Sequence, residues 1–182
     1  EHPFVRGPAF DRPASAAGSG EVDWPSYRGS NLRRGCSDAS LASPGKDIAW
    51  TAAPPAPFAC TTLYNQYVLE FDERPVPPVV AGGRVFTAGS DGRVAALSLA
   101  DGKALWTFHA AGPVFTPPAL SGGRLHIPCG NGWVYAVDAA TGDLAWKRRI
   151  APTERRILIF EQLVSNWPVL SLMVADGTVY AA

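Results

Sequence analysis

Methionine, cysteine and histidine are scarce in this 182-residue sequence, which has one Met, three Cys and three His. Cys36, Cys60 and Cys129 lie far apart with no CxxC or CxxCH spacing, which argues against a zinc ribbon and against covalently attached haem. They leave two states open: one disulfide with a thiol left over, or three buried thiols. His2, His109 and His126 form no ligand-spaced cluster, and each reads as a surface or strand residue rather than a metal ligand. The formal net charge is zero, so nothing steers the chain toward nucleic acid or an anionic membrane. No apolar run approaches the ~20 residues that a transmembrane helix needs. No Ser or Cys nucleophile stands in a G-x-S-x-G context. The first residue is Glu1, with neither Met nor an apolar leader before it, so either a signal peptide has been removed or the chain is a piece of something longer.

Glycine and proline are plentiful instead, at 18 and 17 residues, the composition of a turn-rich all-β protein. Much of the glycine belongs to a repeat. Pro77-Pro78 returns as Pro117-Pro118, Gly82-Gly83-Arg84 as Gly122-Gly123-Arg124, and Gly92 and Val94 as Gly132 and Val134. Ala96, Gly102 and Trp106 return as Ala136, Gly142 and Trp146, each pair 40 residues apart without a gap. A period of about 40 built from short strand-like segments predicts β-propeller blades rather than helical hairpins.

Each copy reads as a four-stranded antiparallel meander. In the first, Pro78–Val80, Arg84–Ala88, Arg93–Leu99 and Lys103–Phe108 are the expected strands, with Ser90-Asp91-Gly92 and Asp101-Gly102 as hairpin signals. These Asp-Gly pairs, and Asp176-Gly177, read as turns before they read as calcium or catalytic carboxylates. The third strands are apolar on both faces, which suits a sheet packed between two others.

The chain divides accordingly. Residues 1–22 are rich in Pro, Ala, Gly and Ser and read as a linker or an arm lying on another surface. Residues 23–73 are a lead-in segment, with a short Trp-bearing strand expected at Asp47–Thr51. Within it, 53–60 is too proline-rich for a central strand, and 61–71 fits an edge strand or ordered loop. Blades are expected over 74–112 and 113–149, an insertion over 150–166, and the start of a further blade over 167–182. The insertion is apolar at Ile157–Phe160, enough to pack against the protein.

The run Ala136-Val137-Asp138-Ala139-Ala140-Thr141-Gly142-Asp143-Leu144-Ala145-Trp146 resembles the tryptophan-docking motif of pyrroloquinoline-quinone-type β-propellers, A-x-D-x-x-T-G-x-x-x-W. The copy from Ala96 to Trp106 keeps Ala96, Gly102 and Trp106 but has Ser98 and Asp101 where the pattern has Asp and Thr. Trp24–Gly35 also looks like the lead-in segment of bacterial proteins that carry these repeats. The resemblance implies an all-β, quinoprotein-like propeller, an incomplete ring here, in which Trp106 and Trp146 occupy equivalent buried positions and lock adjacent blades together. Ala96, Gly102, Ala136, Asp138, Thr141 and Gly142 then serve the same docking role.

Quinone dehydrogenases of this type stack their cofactor between a Trp and a vicinal disulfide and hold calcium beside it. This sequence has no adjacent Cys pair and fewer than three blades, so no cofactor, metal or catalytic residue is assigned. The resemblance implies a non-catalytic scaffold or protein-binding module outside the cytoplasm of a bacterium, one form of which is an accessory subunit of a larger assembly. The alternative is a fragment of a quinone-dependent dehydrogenase whose active site lies elsewhere. The expected partner is other protein, either the remaining blades of a longer chain or another subunit. Lys147, Arg148, Arg149, Arg155 and Arg156 form the one basic cluster, either a solvated rim with Glu154 as local partner or a patch for an acidic protein or anionic polymer.

Overall fold

Glycine turns cut residues 79–149 into two antiparallel meanders of the same design. A computed structural model describes residues 3–14, 23–30, 32–36, 48–52, 76–153, 155–159, 162–165 and 167–182. Strand β1 spans Phe4–Arg6, and the first meander comprises β2 (Val79–Ala81), β3 (Arg84–Ala88), β4 (Arg93–Ser98) and β5 (Ala104–His109). The second comprises β6 (Ala119–Ser121), β7 (Arg124–Pro128), β8 (Trp133–Asp138) and β9 (Leu144–Arg149). Two hairpins follow, β10 (Arg156–Ile159) with β11 (Gln162–Ser165), and β12 (Leu172–Ala175) with β13 (Thr178–Ala181).

The first turn of each meander has positive φ at both central residues, 57° and 71° at Gly82 and Gly83, and 56° and 71° at Gly122 and Gly123. That is the twist-matched hairpin turn for which glycine carries no steric penalty. The 40-residue offset extends to the ladder. Val79, Phe86, Ala96 and Trp106 form one cross-strand row, and Ala119, His126, Ala136 and Trp146 form its copy. Both ladders slip register at the same place, between Ala96 and Leu97 and between Ala136 and Val137.

Two buried layers hold the blades face to face. Phe86, Val94 and Ala96 of the first meander pack with Leu125, Ile127, Tyr135 and Val137 of the second. On the far side of the second meander, Ala119 and Val134 pack with Val169, Leu172 and Val174. β8 is therefore covered on both faces, as its apolar stretch Val134–Val137 requires.

Several expectations need correction. Residues 4–6, read as part of an aperiodic arm, form β1, which pairs antiparallel with β9 and makes the second sheet five-stranded. Gly7 permits this, because a Cβ there would fall on the Leu144 carbonyl oxygen. The arm is then tied down by Gly7 N donating to Ala145 O at 2.7 Å and by an Arg12–Asp143 ion pair at 2.9 Å. Ile48–Ala52 is not a strand; Trp50 acts through its ring instead. The 150–166 insertion contains the β10–β11 hairpin, and of its apolar run only the backbone of 157–159 is described. The expected strand or loop at 61–71 and the proline-rich 53–60 lie outside the described residues.

Candidate functional site

The residues of the docking pattern converge on the junction between the two meanders. Trp106, from β5, lays its ring over the turn that follows β8. Its indole Nε1 donates to Ala139 O at 3.1 Å. A Cβ on Gly142, where φ is 78°, would come within 2.7 Å of the ring. Only glycine fits there, both for its backbone conformation and for the space. Asp138 shapes the same turn: its Oδ1 accepts from Ala140 N at 2.9 Å and Thr141 N at 3.1 Å. Thr141 donates its hydroxyl to Asp143 at 3.0 Å. That bond, with Arg12 beside it, holds the Asp143 carboxyl below the usual carboxylate range. Ala136 and Ala96 are fully buried opposite Trp146 and Trp106.

A second junction of identical geometry involves a residue that the pattern does not single out. Trp50 Nε1 donates to Leu99 O at 2.9 Å, and a Cβ on Gly102 would meet its ring at 2.7 Å. Leu99 and Gly102 are the repeat equivalents of Ala139 and Gly142. Trp50 escapes the period because it stands 56 residues before Trp106 rather than 40. The signal that could have found it is short: Asp47-Ile48-Ala49-Trp50 matches Asp143-Leu144-Ala145-Trp146. At this junction Asp101 takes over from Thr141, accepting from Lys103 N at 3.3 Å and pairing with its ammonium at 2.8 Å. Hydrogen bonds from the Lys103 and Ser98 side chains bring the Asp101 pKa down to about 2.

Trp146 has the same strand register as Trp106 but a different setting. Both rings are half-buried rather than buried, which corrects the expectation drawn from the resemblance. The Trp146 ring lies 6.0 Å from that of Phe4 in the arm and 5.8 Å from the His126 ring. His126 is buried, with Nδ1 3.3 Å from Ala119 O, so this nitrogen carries the proton of the neutral ring. Burial lowers its pKa to about 4. His109 is exposed at the end of β5, and His2 lies outside the described residues.

The basic cluster does not form a single face. On β9, Lys147 and Arg149 alternate with Arg148, which is exposed on the other side. The Lys147 ammonium sits over the Trp133 ring at 5.1 Å, and Arg149 N donates to Pro3 O at 3.0 Å. Arg155 is exposed. Arg156 belongs to β10, its side chain outside what is described, as is Glu154.

Cys36 is exposed and Cys129 buried, both as free thiols; burial raises the Cys129 pKa to about 11. Both sequence readings therefore fail: with Cys36 and Cys129 free no two of the three cysteines are left to pair, and three buried thiols fails at the exposed Cys36; Cys60 lies outside the described residues. The described residues bring together no group of three metal-ligating side chains. They do not fit the quinone and calcium set of a dehydrogenase, since neither the paired thiols nor the carboxylate ligands are assembled. Among them, no helix is long and apolar enough to cross a membrane.

A family model described as outer membrane protein assembly factor BamB matches residues 16–182. None of the curated proteins compared matches the sequence. Among solved structures, quinohemoprotein alcohol dehydrogenase from Comamonas testosteroni is similar over 79% of this chain and 21% of its own, at 19% identity and TM-score 0.51. That likeness is one of fold, the β-propeller. BamB from Moraxella catarrhalis aligns over 56% of this chain and 40% of its own, at 21% identity and TM-score 0.37. Quinohemoprotein alcohol dehydrogenase ADHIIG from Pseudomonas putida HK5 aligns over 56% and 15%, at 23% identity and TM-score 0.45. The chain spans less than half the length of each.

Proposed function

The chain belongs to the β-propeller repeat family described as outer membrane protein assembly factor BamB, and we propose that it is a non-catalytic scaffold or protein-binding module working outside the cytoplasm. The observation that carries this reading is how the polar and aromatic residues of the motif are used. Trp106 gives its indole N–H to Ala139 O and a ring face to Gly142, and Asp138 accepts from Ala140 N and Thr141 N, all within one blade junction. Trp50 and Gly102 do the same at a second junction. In this role the tryptophans fasten neighbouring blades, and a stiff stack of sheets presents its edges to other protein.

The partner surface in this reading is the outer rim of the second blade, where β1 and β9 place exposed Phe4, Arg6 and Arg148 on one face. Arg155 extends the positive charge toward the β10 hairpin. An acidic segment of another subunit, or of the rest of a longer polypeptide, fits this chemistry.

The test is site-specific photo-crosslinking from position 148 or 155 in living cells, with position 93 on the first blade as reference. One discrete protein adduct from the rim positions, lost when Arg6 and Arg148 are both changed to Glu, supports the scaffold. Dye-linked alcohol oxidation by the purified protein supplied with quinone and calcium would instead establish the dehydrogenase.

A further inference from the structure

Residues 23–30 and 32–35 run along the inner edges of the blades and are fastened to two of them. Val80 N donates to Trp24 O at 3.0 Å, Gly82 N to Asp23 Oδ1 at 3.2 Å, and Leu120 N to Pro25 O at 2.8 Å. Beyond Pro25 the strap closes on itself, with Gly29 N donating to Ser26 O at 3.0 Å and Gly35 N to Arg28 O at 3.1 Å. Arg28 and Arg33 both adopt left-handed backbone conformations there, with φ of 60° and 51°. A residue with a Cβ holds that conformation only where its surroundings over-determine it. The two guanidinium groups lie 6.0 Å and 5.9 Å from the centre of the Tyr27 ring. Among the described residues, neither arginine is in an ion pair.

Arg33 and Tyr27 form one side of a cleft of about 550 Å³, a size suited to a small ligand. Its other walls come from the approaches to three successive blades: Val76 and Pro77, Phe115 and Pro117, Leu170 and Leu172. Thr116 lines it too, and its hydroxyl is buried with no hydrogen-bond partner among the described residues. The cleft thus joins one cation to walls that carry Val, Pro, Phe and Leu side chains. Guanidinium recognises the planar oxygens of a carboxylate through paired hydrogen bonds. The apolar walls disfavour a bare phosphate or sulfate, which would have to shed its water against Val, Pro and Leu.

We propose that this cleft binds a small carboxylic acid with an apolar body, its carboxylate held by Arg33 and its body lying along Val76, Phe115 and Leu170. The described lining residues include neither Trp nor Cys, so the site is not the stacked quinone cradle of the dehydrogenases. The proposal stands apart from the scaffold reading and survives if that reading fails.

Calorimetric titration of this chain with octanoate and with octanamide tests it. The two ligands share a body and differ in charge. Octanoate binds at one site per chain, and octanamide at least about tenfold more weakly, as loss of a charge-assisted hydrogen bond requires. Arg33→Gln weakens octanoate by a similar factor, while Arg148→Gln on the rim leaves it unchanged. Amide resonances of Val76 and Thr116 shift on octanoate addition. Equal binding of acid and amide to the unaltered protein, no saturable binding at millimolar octanoate, or resonance shifts confined to other regions would each overturn the proposal. The ligand comparison needs no variant to fold.

Discussion

His126 stands against Trp146 as Phe86 stands against Trp106, with ring centres 5.8 Å and 5.9 Å apart at positions one repeat removed. The same cross-strand row thus carries a hydrocarbon ring in the first blade and a titratable one in the second. Each faces a neighbouring layer, the first blade's row toward the second blade and the second blade's row toward the β12–β13 hairpin.

Acid should therefore loosen the second layer first. Burial lowers the His126 pKa from 6.5 to about 4. Between those values the unfolded chain binds a proton that the folded one refuses, so stability falls as pH drops from 6.5 toward 4. Above pH 7 this group adds no pH dependence. The full effect is on the order of 3 kcal/mol. Urea unfolding at pH 7.5 and pH 5 should show a larger difference for the unaltered chain than for His126→Phe, which restores the first blade's residue. Equal differences would mean that the ring is not held neutral by burial.

Gly142→Ala should cost about 2–4 kcal/mol, because it adds a left-handed backbone penalty to a clash with the Trp106 ring. Gly83→Ala is the control: its φ is 71°, yet nothing lies within 4 Å of the added methyl. It should cost only the backbone penalty of roughly 1–2 kcal/mol. Denaturant midpoints for the two variants separate conformation from contact, and coinciding midpoints would remove the ring contact from the account.

Trp106→Ala should destabilise more than Trp146→Ala. Both rings are half-buried, so values toward the lower end of about 3–5 kcal/mol, the range for emptying an aromatic site, apply. Trp106 also gives up the indole bond to Ala139 O, adding about 1 kcal/mol. Trp106→Phe isolates that bond. Trp50→Ala should resemble Trp106→Ala in melting temperature, as the matched geometry over Gly102 and Gly142 requires.

Gly7→Val should detach the arm without unfolding the blades. The added side chain meets the Leu144 carbonyl, so β1 can no longer lie against β9. Exchange of the Arg149 amide, which donates to Pro3 O at 3.0 Å, should accelerate by an order of magnitude or more. Amides of β3 and β4 should keep their protection. Unchanged exchange at Arg149 would show that the arm is not held through Gly7.

The blades were legible in the sequence because their turns are chemical signatures. Gly82-Gly83 and Gly122-Gly123 announce the hairpins, and the strands between them end within a residue or two of the expected bounds. The contact of Trp106 with the Gly142 turn joins two residues that the same repeat marks in the sequence. Trp50 was hidden because its spacing breaks the period, and its strand-like neighbours Ile48 and Thr51 are exposed rather than paired. β1 was hidden because three residues carry no periodicity, and the reason they pair lies in β9, far along the chain. The cleft below Tyr27 depends on two left-handed arginines, and no residue type advertises that conformation.

The arm reaches the outer edge of the second blade through Phe4 and Arg148, while Trp24 and Pro25 reach the inner edges of both. Repeat proteins usually gain their speed of folding from contacts between neighbours in sequence. Here a blade of neighbouring strands is finished only when a segment far away in sequence arrives. The meanders can form early and locally, whereas the closing steps await the closure of long loops. The order in which the chain leaves the ribosome then matters: residues 4–6 must wait, unpaired, until β9 has been made.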